Sequence, residues 1–409
     1  MSDPSETLST AHDISASEAT KANALDYAPL VAPMRAHYAS RATVPLTWRL
    51  AQLASLRRMV VENFDELAQS VCTDLGRHTQ TSVFADMSPI MHAIDTTIES
   101  VAEWSAPQRK PNKRIELMDP FGVECFIQPQ PKGVVLLIGP WNFPLDLVVE
   151  PLCAALAAGN VVVIKPSEVA PTVSALLARL VPLYFSPTVV RVVEGAVAET
   201  TALLRLRWDH IFYTGNPHVG KIVMRAAAAH LTPVTLELGG KCPVIVDQIS
   251  SVSIEAAAKR IAWGKTLNNG QVCVAPDYVL VHRSSQAQLV AALRKRFGVM
   301  FGANPRESRS LARMVNARHL NRVEALLTED HGGDVVLGGA AGIDKAADTC
   351  FIPPTIVVEP RLDSKLMTEE IFGPILCVIA VDSIDEAIAF VNAREKVSFF
   401  VFFVLLTDL

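Results

Sequence analysis

Residues 133–168 read GVVLLIGPWNFPLDLVVEPLCAALAAGNVVVIKPSE, two short apolar runs separated by an apolar helical stretch. Val134 to Ile138 and Val161 to Ile164 have the length and continuous hydrophobicity of strands covered on both faces. The stretch through Pro151 to Ala158 between them makes their connection a parallel crossover. Working downstream, the same rhythm continues with a helix through Val173, Leu176, Leu177 and Leu180, then a strand at Val189 to Val193. Ile211 to Tyr213, a helix from Val219 to Ala229 and a strand from Val234 to Leu238 extend it. The fold class expected is α/β, with a Rossmann-type parallel-sheet domain.

A second α/β domain is expected beyond that strand, with helices near Ile254 to Ile261, Ala287 to Phe297 and Val315 to Leu327. Its strands are read at Val279 to His282, Val335 to Leu337 and Leu376 to Val381. Upstream of residue 133, Leu46 to Val71 and Phe84 to Val101 carry apolar residues at helical spacing and predict two long helices. Arg114 to Met118 and Glu124 to Gln128 flank Asp119-Pro120-Phe121-Gly122, predicting a projecting hairpin near 114–130. The domain division expected is an acidic, mobile tail over 1–28, a first α/β domain over 29–238, a second over 239–396 and a divergent apolar end over 397–409.

With 37 Lys plus Arg against 42 Asp plus Glu, a net charge of -5 is too mild to steer the chain to nucleic acid or an anionic membrane. The partner expected is a small molecule. Seven scattered cysteines without a C-x-x-C pair argue against a disulfide framework or a structural metal, and no metal site is expected. No targeting segment is read at the N-terminus, and the apolar run Ser398 to Leu406 is shorter than the roughly 20 residues a bilayer requires. The location expected is therefore cytoplasmic, with no membrane span.

Cys273 ends the polar run Asn268-Asn269-Gly270-Gln271-Val272, downstream of Glu237-Leu238-Gly239-Gly240-Lys241. A thiol nucleophile, a carboxylate able to activate water and glycines permitting close backbone approach are what oxidation of an aldehyde to an acid requires. Each has a plainer local reading: a buried thiol for Cys273, a salt-bridged strand-end carboxylate for Glu237. Lys165 ends a buried strand, where an ammonium needs a partner such as ribose hydroxyls unless it reaches the surface. Glu168 is suited to accept hydrogen bonds from an adenosine ribose, which favours NAD because a 2′-phosphate would meet a like charge. The turn from Gly215 to Gly220 leads from strand into helix and can offer helix N–H groups to a pyrophosphate, although ordinary turn chemistry explains its glycines equally well.

Gly139-Pro140-Trp141-Asn142-Phe143-Pro144, Ile164-Lys165-Pro166-Ser167-Glu168, Phe212-Tyr213-Thr214-Gly215-Asn216, His230 through Lys241, Gly270 through Tyr278 and Glu369-Glu370-Ile371-Phe372-Gly373-Pro374 occur in this order. Together they resemble the aldehyde dehydrogenase superfamily, in particular the class 3 group that includes fatty-aldehyde dehydrogenases. The resemblance runs from about residue 30 to Lys396. It implies that Cys273 is the nucleophile, Glu237 the base that hydrolyses the thioester, and Asn142 with the Cys273 N–H the oxyanion donors. It also implies that 29–238 is the NAD(P)-binding domain and 239–396 the catalytic domain, and that Lys165, Glu168, Gly215 and Gly220 bind NAD, with NADP accepted as well in class 3. Glu370 and Phe372 are implied to position the nicotinamide ribose and ring, Glu370 sharing the base role.

The substrate class implied is an aliphatic or aromatic aldehyde, and the assembly a homodimer. Relatives continue past Lys396, so the expectation for 397–409 is a C-terminally truncated chain impaired in dimerisation and turnover. An acyl transferase to coenzyme A and a catalytically dead nucleotide-binding or interaction protein are the alternatives.

Overall fold

The computed structural model describes residues 15–110, 124–247, 251–346, 349–397 and 401–403. These fall into two compact units, the first drawn from Met1–Leu67, Ala85–Thr214 and His218–Glu237, the second from Ala68–Phe84, Gly215–Pro217 and Leu238–Leu409. The second unit thus also takes two pieces, Ala68–Phe84 and Gly215–Pro217, from within the expected first domain 29–238.

The N-terminal reading needs correction. Within 1–28, Ala16–Ala24 form a helix, with Ser15 Oγ accepting the Glu18 N–H at 3.3 Å as its cap. Ala22 is fully buried, and Lys21 pairs with Glu199 of the helix Val197–Leu204 at 2.5 Å. A short alanine-rich helix shows little amphipathic pattern, so its docking was not visible in composition. The expected helix from Leu46 to Val71 is two, Leu46–Glu62 and Phe64–Leu75. Asn63 lies between them, its amide donating to the Met59 carbonyl (2.8 Å) and the Tyr184 hydroxyl (2.9 Å), which draws the chain off the helical path. The expected helix from Phe84 begins as a π-helical turn, Val83–Met87, and continues as Ser88–Trp104.

At the base of the expected hairpin, β1 (Gln108–Arg109) pairs antiparallel with β2 (Phe126–Ile127). Its turn at Asp119 to Gly122 lies outside the described residues.

The first unit is built on a five-stranded sheet of β3 (Val134–Ile138), β4 (Val161–Lys165), β5 (Val190–Val192), β6 (His210–Gly215) and β7 (Val234–Leu238), in the order β5-β4-β3-β6-β7. β3 and β4 are buried along their whole length, as their uninterrupted apolar runs require. β3 lies parallel to both β4 and β6, so strand order reverses beside it. In such sheets the carboxyl ends at the reversal open a crevice.

The second unit has a six-stranded sheet of β8 (Pro243–Val246), β9 (Tyr278–His282), β10 (Asp334–Leu337), β11 (Thr355–Val358), β12 (Ile375–Val381) and β13 (Val401–Phe403), ordered β10-β11-β12-β9-β8-β13. Only β10 runs antiparallel to its neighbour. β8 and β11 escaped the sequence reading because each is four residues long and led by proline. β13, inside the terminal apolar run, pairs with β8.

Strand alternation sorts the core. Val244, Val246, Val279, Val281 and Val378 face the helices Ser251–Thr266 and Gln286–Phe301, while Ile245, Tyr278, Leu280, Cys377 and Ile379 face the helix Ala317–Thr328. Each fully buried aliphatic side chain contributes about 1.5–3 kcal/mol.

Candidate active site

Asn142, Lys165, Glu168, Gly220 and Glu237 belong to the first unit, and Gly215 to the second. Asn142, four residues past β3, is 3% exposed. Lys165 ends β4, and its Nζ donates to the Glu168 carboxylate at 3.0 Å and to the Pro166 carbonyl at 2.7 Å. This buried ammonium thus has a carboxylate partner within the chain. Glu168 remains 46% exposed at its side chain, leaving a carboxylate at the surface beside a fixed cation. Gly215 is the last residue of β6; the helix Pro217–Ala228 follows, with Gly220 buried in its first turn. Its leading N–H groups lie at a helix start, the arrangement that binds phosphate. Glu237 is exposed on β7. This donor set at a strand-order reversal fits a dinucleotide.

Cys273 belongs to the second unit and is half-buried, outside any disulfide. Asn268, Asn269 and Gly270 all have positive φ (49°, 55° and 76°), a left-handed run that turns the chain sharply out of the helix Ser251–Thr266. Such conformations cost an asparagine energy and persist only when neighbours hold them. Gln271 does so: fully buried, it donates from Nε2 to the Asn268 and Arg313 carbonyls (2.9 Å each) and accepts the Val315 N–H at 2.9 Å. Gly270 is required for a second reason, since a Cβ there would fall 2.3 Å from the Gly373 carbonyl oxygen. The Cys273 loop thereby backs onto the segment bearing Glu370 and Phe372.

Glu370 accepts the Gly240 N–H at 3.2 Å and rests against Gly239. Burial, reinforced by the Asp277 charge, pushes its carboxyl up to about 7; the Gly240 N–H, Arg322 and Lys265 pull the other way. A carboxyl tuned there exchanges protons near neutrality. Phe372 follows with φ +48°. The structure thus brings Gly239, Gly240 and Glu370 together, and ties Gly270 of the Cys273 loop to Gly373.

Sequence reasoning missed Gln271, Lys241, Lys265, Asp277 and Arg322. Asp277, 2% exposed, receives Lys265 Nζ at 3.1 Å, Lys241 Nζ at 3.4 Å and the Ile371 N–H at 2.8 Å. Burial alone would raise this carboxyl, but the two ammoniums and the N–H outweigh it and leave it below the ordinary value. A polar residue four places after Cys273 was the one signal available for it. Among the described residues no group of His, Cys, Asp and Glu forms a metal site, and no helix is long and apolar enough to cross a membrane.

The family profile described as "Aldehyde dehydrogenase family" matches residues 2–396. The chain belongs to the aldehyde dehydrogenase family. It is an NAD(P)-dependent oxidoreductase that oxidises aldehydes to acids. Among its relatives, the canine (Canis lupus familiaris) "Aldehyde dehydrogenase, dimeric NADP-preferring" is 42% identical over 362 residues, spanning 88% of this chain and 77% of the relative. The Macaca fascicularis "Aldehyde dehydrogenase family 3 member A2" is 42% identical over 363 residues, 89% of this chain and 72% of the relative. The substrate-bound structure of Staphylococcus aureus AldH superposes with a TM-score of 0.87 at 35% identity, covering 93% of this chain and 81% of that one. The class 3 resemblance and the expected α/β aldehyde dehydrogenase fold both hold.

Proposed function

We propose that this chain oxidises aliphatic or aromatic aldehydes through a covalent intermediate on Cys273. The observation that carries the reading is the Cys273 loop, half-exposed yet fixed by the fully buried Gln271 and backed at Gly270 by the Glu370-bearing segment. The Cys273 thiolate adds to the aldehyde carbon, with Asn142 and the Cys273 N–H stabilising the oxyanion of the thiohemiacetal. NAD(P), when bound, accepts the hydride. Glu237 then takes a proton from the water that hydrolyses the thioester, and its exposure on β7 gives it access to that water.

Lys165 and Glu168 hold the adenosine ribose, the Gly215 to Gly220 turn the pyrophosphate, and Glu370 and Phe372 the nicotinamide end. The half-exposed Glu168 carboxylate favours NAD, with NADP as a second cofactor. The name "dimeric NADP-preferring" of the canine and rat relatives favours a homodimer, and seven cysteines without a disulfide favour the cytoplasm.

Quenched mixtures of enzyme, aldehyde and NAD, analysed by peptide mass spectrometry, test this. Glu237→Gln is expected to accumulate an acyl adduct on the Cys273 peptide, and Cys273→Ala to carry no adduct and make no NADH. NADH production by Cys273→Ala would refute the mechanism.

A further inference from the structure

We infer that Arg322 and Asp277 are positioning residues that grip the Ile371 peptide from both sides and thereby set the place of the Glu370 carboxylate. This rests on the reading of Glu370 as a cofactor-binding residue. Arg322, on the helix Ala317–Thr328, donates Nη1 to the Glu370 carbonyl at 3.2 Å and Nη2 to the Ile371 carbonyl. Asp277 accepts the Ile371 N–H at 2.8 Å, and Lys241, which also donates to Asp277, holds the Glu369 carbonyl at 3.0 Å. Three consecutive carbonyls and one N–H of this segment are thus held by charged side chains from three separate stretches of chain.

The segment needs such a grip. Phe372 is a non-glycine residue at φ +48°, a conformation that costs on the order of 1–3 kcal/mol and reverts unless its surroundings over-determine it. Gly373 meets Gly270 through its carbonyl, and Glu370 meets the Gly239-Gly240 backbone through its carboxylate. A shift of the Ile371 peptide would therefore move the carboxylate away from Gly240 and also disturb the backing of the nucleophile loop. Only a planar, forked donor serves both carbonyls at once, so lysine at 322 keeps the charge and loses the geometry.

The groups facing the Glu370 carboxyl are Asp277, Arg322, Lys265 and the Gly240 N–H. Replacing Arg322 thus alters both the place and the charge environment of Glu370.

The test is a double-mutant cycle on the full chain, read by NADH and NADPH fluorescence titration. Arg322→Lys and Glu370→Gln are each expected to weaken binding about tenfold, the scale of one hydrogen bond to a charged group. The double variant is expected to be no weaker than Glu370→Gln alone, because Arg322 acts through Glu370. The rate of Cys273 alkylation by iodoacetamide reports separately on the nucleophile loop. Multiplying losses, or wild-type binding by Arg322→Lys beside a weakened Glu370→Gln, overturn the positioning role while the Glu370 reading stands. Wild-type binding by Glu370→Gln takes both down. Should Arg322→Lys fail to fold, Arg322→Gln, which retains one donor, completes the same cycle.

Discussion

Glu370 lies hard against Gly239: a Cβ at 239 would fall 2.3 Å from one carboxylate oxygen and 2.5 Å from the other. The glycine is thus a spatial requirement of the carboxylate. Since the clash involves the tip of a flexible side chain, Gly239→Ala is expected to fold while displacing Glu370. A misplacement on the 1 Å scale costs roughly 10²-fold in rate. Steady-state kinetics should show that loss with little change in melting temperature. Wild-type turnover in Gly239→Ala would show that the position of Glu370 is immaterial.

Gln271 carries the Cys273 loop. Gln271→Leu keeps the volume but leaves the Asn268 and Arg313 carbonyls and the Val315 N–H without their side-chain partner. Buried polar groups deprived of partners cost about 1–3 kcal/mol each before relaxation. The variant is expected to melt several degrees lower by scanning fluorimetry and to alkylate at Cys273 at an altered rate. An unchanged melting temperature would show that other contacts hold the loop.

Much of this architecture was legible in the sequence, and the exceptions share a physical cause. β3 and β4 read correctly because strands buried on both faces must be apolar throughout, and Cys273, Glu237 and Glu370 were singled out because the expected chemistry restricts residue type. Gln271 and Asp277 act through hydrogen bonds to main-chain groups 42 or more positions away, which no local pattern encodes. The helix Ala16–Ala24 was missed because its stability comes from docking beside Glu199 rather than from its own periodicity. The carboxylate partner of Lys165 could have been inferred, since Glu168 stands three residues on and a buried ammonium demands an anion.

Glu168 offers a test of cofactor choice. Glu168→Gln preserves an acceptor for Lys165 Nζ, 3.0 Å away, while removing the negative charge. A like charge near a phosphate costs on the order of 1–2 kcal/mol at protein-surface dielectric. The ratio of kcat/KM for NADP to that for NAD is expected to rise about tenfold. An unchanged ratio would mean that this carboxylate does not face the 2′ position.

The Glu370 carboxyl, pushed up to about 7 by burial and then by the Asp277 charge, makes a signed prediction about stability. In the unfolded chain the group titrates near 4.5, so the folded protein holds its proton more tightly. Its contribution is therefore fully present below pH 4.5 and is lost as pH rises towards and through 7. Glutamine at this position mimics the neutral carboxyl and carries no such penalty. The difference in melting temperature between Glu370→Gln and wild type, measured without cofactor, is expected to be small at pH 5. It should turn increasingly in favour of the variant between pH 6 and 8. The same substitution removes an ionised acceptor from the proposed nicotinamide end, so the variant that gains stability at pH 8 is expected to lose NADH affinity there. A wild type that is the more stable of the two at pH 8 would show that the carboxylate is held charged at no cost, and that its environment is polar rather than buried.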